Sequence, residues 1–238
     1  MPPLPRPELV SHHAAAPTPI GGESRVARSD VAGTALDRFA VVDVETSGLS
    51  RRRHRLLQMA VVTVDQHGAI TDRWDTLLRP RFGRVGPTHI HGLTGRELRR
   101  APTFADVAPE LVARLNGAVF TAHNAEFDWG FVSAALHRAG YVPPDVSRLC
   151  TMRLSRALSD ESEGASHRLV DVCARHGVTI TRAHDARADA EATAAVLPLL
   201  FADGGLASAS DLAPHLRGAG GSWPVWTPPP WWRRAVYR

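Results

Sequence analysis

Apolar positions show no sustained period until Phe39, where FAVVDVET forms a short apolar run broken by acids and reads as a buried strand. LLQMAVVTVDQ and AITDRWDTLLRP continue with β-rich composition on either side of a turn at His67-Gly68, so three strands joined by tight turns are predicted as an antiparallel meander. In APTFADVAPELVARLNG the residues Phe104, Val107, Leu111, Val112 and Leu115 recur at helical spacing and stop at Gly117. AVFTAH reads as a further strand. It leads into a helix, EFDWGFVSAALHRAG, with Asn124 at the capping position, Phe127, Phe131, Ala134 and Ala135 on one face, and Gly140 as the stop. SHRLVDVCARHGV is amphipathic and ends at Gly177, and HDARADAEATAAV opens a long alanine-rich helix. The order βββαβα followed by helices predicts an α/β fold, a mixed central β-sheet with helices on both faces.

The ends of the 238-residue chain differ from this middle. Residues 1–36 are rich in Pro, Ala and Gly and predict a flexible arm, whose pair His12 and His13 reads as solvated. Residues 37–202 form one domain of ordinary size. Residues 203–238 are a Gly, Pro and Trp-rich tail in which Trp223, Trp226, Trp231 and Trp232 alternate with Arg233, Arg234 and Arg238. Two readings of the tail stand side by side: it stacks on bases or docks on a protein partner, or it folds back as an apolar cover. No apolar run approaches the ~20 residues of a membrane span, and the start lacks the pattern of a secretory signal, so a cytoplasmic protein is expected. Cys150 and Cys173 are too few for a disulfide framework or a cysteine zinc site. All 28 basic side chains are arginine and the formal net charge is +4, a balance that suits a polyanionic partner without proving one.

The chemistry lies in the acids. DVETSGL places Asp43 and Glu45 two residues apart, so both carboxylates face one side of a buried strand. Such a pair is costly unless a cation joins it, and the strand holds no basic residue, which points to a divalent metal. HNAEFDWGF adds Asp128 on the first turns of a helix that follows a strand end. Asp185 is placed to cap the alanine-rich helix, which leaves Asp189 for another task, with His184 just outside it. Hard cations such as Mg²⁺ or Mn²⁺ take oxygen ligands, and several acids with one histidine suit phosphodiester hydrolysis by two metals, the imidazole serving as base.

Taken in order over the chain, DVETSGL, HNAEFD and HDARADA resemble the three motifs of the DnaQ-like 3′–5′ exonucleases, the histidine branch of the DEDD superfamily. The resemblance spans about residues 37–202, and the proofreading exonucleases of replicative polymerases are among the proteins it points to. It implies a ribonuclease-H-like fold, with Asp43, Glu45, Asp128 and Asp189 as the acidic quartet and His184 as general base. Asp43 would bridge two ions, Glu45 and Asp189 would complete one site, and Asp128 would act partly through water. Thr46 and Leu49 would contact the terminal nucleotide, and His123, Asn124 and Phe127 would line its pocket. Gln58 stands where the family commonly carries Glu. The expected activity is removal of nucleoside monophosphates from single-stranded 3′ ends of DNA in proofreading or repair, with a 3′–5′ exoribonuclease that trims RNA or degrades oligoribonucleotides as the alternative. A docking module that has lost catalysis would be expected to lack one of these five residues, and none is missing. The run RRRHR at Arg51–Arg55 either grips strand phosphates or forms a solvated turn.

Overall fold

The computed structural model describes residues 36–81, 84–159 and 164–223. The arm with His12 and His13, and Trp226, Trp231 and Trp232 of the tail, lie outside them. In chain order the elements are β1 (Arg38–Thr46), β2 (Leu56–Asp65), β3 (Ile70–Leu77), α1 (Thr88–His91), α2 (Gly95–Leu98), α3 (Phe104–Leu115) and β4 (Val119–Ala122). There follow α4 (Ala125–Arg138), β5 (Arg148–Cys150), α5 (Thr151–Leu158), α6 (Leu169–Arg175), α7 (Ala186–Asp203), α8 (Ala209–Leu212) and β6 (Leu216–Arg217). The six strands form one sheet in the order β3-β2-β1-β4-β5-β6. β1 pairs antiparallel with β2, and β2 with β3, which is the expected meander, while β4 and β5 add in parallel and β6 antiparallel. The ribonuclease-H-like mixed sheet is therefore present, with β1 at its interior.

Strand parity divides the core. Ala40, Val42 and Val44 point to the face covered by α3 and α4, where Leu111, Phe131 and Leu136 are buried. Phe39 and Val41 point to the other face, and there α7 packs through Ala186, Ala190, Ala194 and Leu197. That spacing of three and four residues is one helical stripe, and its small side chains let the helix sit close to β1 and β2. The outer side of α7 is covered by α5 and α6 through Leu154, Val172 and Cys173 against Val196 and Leu200.

Three departures from the sequence reading have physical causes. The turn from β1 to β2 is not tight: residues 47–55 form a loop held by Ser47 N–H to the Arg55 carbonyl at 2.9 Å and by Arg55 N–H to Ser47 Oγ at 3.0 Å. Asn124 occupies the N-cap position of α4, but its side chain makes no capping hydrogen bond. The segment after Asp203, set apart on composition, joins the folded sheet: β6 pairs Leu216 with Leu149 and Arg217 with Arg148. Trp223 is buried there against Trp129, ring centroids 6.4 Å apart, so at this residue the tail covers the domain. Among the described residues no helix is long and apolar enough to cross a membrane.

Candidate active site

β1 outruns its parallel neighbour. Its pairing with β4 covers Phe39–Val41, whereas its pairing with β2 continues through Glu45 and, past a bulge, to Thr46. The last residues of β1 thus present an unpaired edge beside α4, and Asp128, on the first turn of that helix and 5% exposed, faces the Val44 backbone N–H. Asp43 and Glu45 share the parity of Phe39 and Val41 and so face α7.

The start of α7 completes the group. Asp185 is the N-cap, its carboxylate accepting the Arg187 and Ala188 N–H groups at 3.1 and 3.3 Å. Asp189, one turn in, accepts the His184 N–H at 3.0 Å. That bond holds His184 in the left-handed conformation, φ 63°, the only described non-glycine residue with positive φ. Glu45, His184 and Asp189 each offer a donor atom within 4.8 Å of the others. Buried Gln58 lies opposite Glu45 in the β1–β2 register, and its Oε1 accepts the Ala186 N–H at 3.3 Å, tying β2 to the first residue of α7. A glutamate there would add one more negative charge beside Glu45, and the amide avoids it.

The electrostatics identify what the group lacks. Among the described residues no arginine forms an ion pair with Asp43, Glu45, Asp128 or Asp189. Burial, then the charges of Asp128, Asp189 and Glu45, push the Asp43 carboxyl well above the usual carboxylate range. Burial, then Asp189, raises Glu45 to about 8. Burial raises Asp128 to about 7, against the opposing pull of nearby backbone N–H groups, and raises Asp189 as well. The cluster cannot hold its full negative charge on its own, and its oxygen donors are those a hard divalent cation takes.

A pH dependence follows. Unfolded aspartate and glutamate are ionised by about pH 5, whereas the folded quartet keeps protons into the range of Asp128 and Glu45. The folded state then binds more protons than the unfolded state, so stability falls as pH rises. Between about pH 7 and 8.5, above the titration of ordinary histidines, the metal-free protein is expected to lose roughly 5 °C in melting temperature. Mg²⁺ should restore most of it by replacing the protons. Cys173, raised to about 11 by burial, shifts stability in the same direction but is not reversed by metal. Melting curves at both pH values, with chelator and with Mg²⁺, check this; a gap that metal leaves untouched would contradict it.

The residues expected to meet the substrate lie next to the acids along β1, its following loop and the start of α4. Thr46 is buried, with Oγ1 donating to the Gly48 carbonyl at 2.9 Å. Leu49, at the tip of the following loop, is 86% exposed. Asn124 is exposed, and Phe127 is half-buried and packed on Phe131. His123 is held by both ring nitrogens, Nδ1 with Thr151 Oγ1 at 2.9 Å and Nε2 with the His167 carbonyl at 2.8 Å. Sequence reasoning missed the approach of Gly86, whose φ of 76° and lack of a side chain let it lie against the Ser47 backbone; the Gly86-Pro87 turn pair was the available signal.

Residues 40–197 match the exonuclease family RNase_T. The chain is 36% identical over 160 residues to the 3′–5′ exonuclease DinG of Bacillus subtilis, covering 66% of this chain and 17% of that protein. It is 34% identical over 158 residues to the PolC-type DNA polymerase III of Staphylococcus aureus, covering 66% of this chain and 11% of that one. The chain thus spans a small part of either relative. Among solved structures, Escherichia coli exonuclease I in complex with a dT13 oligonucleotide superposes with a TM-score of 0.64 at 22% identity, over 71% of this chain and 42% of that chain.

Proposed function

The chain belongs to the RNase_T exonuclease family, and from that premise we propose that it removes nucleoside monophosphates from the 3′ end of single-stranded DNA. The observation that carries this reading is the uncompensated cluster of Asp43, Glu45, Asp128 and Asp189 at the end of β1, with His184 beside it. Asp43, among the other acids, would be shared by two divalent cations, Mg²⁺ or Mn²⁺, with Glu45 and Asp189 completing one site and Asp128 contributing to the second partly through water. When bound, the ions supply Lewis-acid activation of water and of the phosphodiester. His184, exposed at the mouth, accepts the proton of the attacking water through a ring nitrogen. The bond from the terminal phosphorus to the 3′ oxygen of the preceding nucleotide breaks, and that oxygen leaves.

Thr46, Leu49, Asn124 and Phe127 position the terminal nucleotide, Leu49 as an exposed wedge, while His123 shapes the pocket through its place in the packing. The names of the relatives, an exonuclease and a DNA polymerase, support DNA as substrate and proofreading or repair as the setting. A time course on matched 5′-labelled DNA and RNA oligonucleotides with Mg²⁺ or Mn²⁺ tests the reading. A metal-dependent ladder receding from the 3′ end, faster on DNA, is expected. Faster digestion of RNA would overturn the DNA assignment, and no ladder on either would overturn the exonuclease.

A further inference from the structure

A second basic feature lies away from the acids. A cavity of about 570 Å³ opens between the start of β2, the end of β3, the start of α3 and the end of α4. Its floor is apolar, with Leu56, Leu78, Phe104 and Ala135, and its rim carries Arg55, Arg79, Arg81 and Arg138. No acid lines it. Among the described residues the Arg55 guanidinium donates only to the Arg52 and His54 carbonyls and the Arg138 guanidinium only to the Arg51 carbonyl, and no carboxylate pairs with Arg55, Arg79 or Arg138. Desolvation, then the charge of Arg55, lowers the proton affinity of Arg138. In a chain with nearly as many acids as bases, Arg55, Arg79 and Arg138 stand together here with no described carboxylate paired to them.

Two elements connect the cleft to the active site, β2 through its pairing with β1 and α4 along its length. Leu56 on its floor pairs with Thr46, the neighbour of Glu45. Asp128 and Ala135 lie seven residues apart on α4 and so share one face, and Arg138 is about 15 Å beyond Asp128 along the axis. At roughly 3.4 Å per stacked nucleotide that distance is about four steps of a strand. Between them runs the 47–55 loop, fixed to α4 by Arg51 over Gly130 and by Arg138 Nη1 to the Arg51 carbonyl at 3.2 Å.

We propose that this arginine-rimmed cleft holds a nucleotide of the substrate strand about four positions upstream of the scissile bond, the base on the apolar floor and the backbone phosphate on Arg79 and Arg138. The assignment rests on the exonuclease reading and adds a length requirement to it. Apolar floor and cationic rim match the two faces of a nucleotide, and planar guanidinium groups suit phosphate.

The test uses the Arg79→Gln variant, whose side chain makes no hydrogen bond among the described residues, and the Arg79→Gln/Arg138→Gln double variant. Both are compared with wild type on single-stranded DNA of roughly 3 and roughly 12 nucleotides and on a p-nitrophenyl ester of thymidine 5′-monophosphate. For the longer strand, KM is expected to rise about tenfold in the double variant, and the salt dependence of binding to flatten by about 0.7 per arginine removed. The trinucleotide and the ester should be cleaved as by wild type, which also shows that the variants are folded. Unchanged KM and salt slope on the longer strand, with hydrolysis intact, would overturn the cleft assignment alone. So would free thymidine monophosphate raising the melting temperature of wild type but not of the double variant while strand KM stays the same. Wild type inactive on all three substrates would instead overturn the exonuclease reading.

Discussion

Asp43→Asn is expected to lower turnover at least about 10³-fold, equivalent to about 4 kcal/mol of barrier, while raising the melting temperature of the metal-free protein above neutral pH. The two effects have one origin. Asp43 sits on an interior strand with the charges of Asp128, Asp189 and Glu45 all bearing on it. The amide removes the repulsion, so the empty site relaxes, but it also removes the anionic oxygen best placed to be shared between cations. Mg²⁺ should therefore stabilise the variant much less than wild type. Single-turnover hydrolysis of a labelled oligonucleotide, with melting curves in chelator and in Mg²⁺, reads both. Activity within tenfold of wild type would sink the shared-ligand role.

His184→Ala should lower the rate about 10²- to 10⁴-fold and flatten the acidic limb of the pH–rate profile, the effect of losing a positioned base. His184 also offers a ring nitrogen within reach of Glu45 and Asp189, and the two roles separate in one experiment. A base leaves the Mg²⁺-induced rise in melting temperature intact when it is removed; a ligand takes that rise with it. The backbone gives a control. At φ 63° alanine keeps the strain of the left-handed conformation, worth about 1–2 kcal/mol, whereas glycine relieves it. His184→Gly should therefore match His184→Ala in rate. A substantially faster glycine variant would mean that the backbone at 184, rather than the imidazole, limits the chemistry.

The parts of the fold written as repeating patterns were legible in the sequence. β1 to β4, α3, α4 and α7 each carry enough residues for a period of two or of 3.6 to declare itself, and two-residue parity sufficed to put Asp43 and Glu45 on one face. β5 has three residues and β6 two, too few for any period, and their pairing depends on partners 69 residues apart, Arg148 with Arg217. α5 begins directly after β5 with no loop to announce it, and α1 and α2 are single turns. Within the site the acids were legible because unpaired charge in an apolar strand demands a reason. The hydrogen bonds of His123 were not: its partners Thr151 and His167 are brought to it only by the packing of α5 and the segment before α6.

The alanines of α7 act as a gauge for the chemistry. Ala186, Ala190 and Ala194 are each buried against β1 and β2, so the thickness of a methyl group fixes how far the helix stands from the sheet. Asp189 rides on that helix and Glu45 on that sheet. A larger side chain at Ala190 would act as a shim, lifting one carboxylate away from the other although it touches neither metal nor substrate. Close-packed interiors transmit such displacements rather than absorb them. The stripe that holds the fold together thereby sets the span across which the acids can share an ion, and catalytic geometry here is a property of residues that carry no functional group at all.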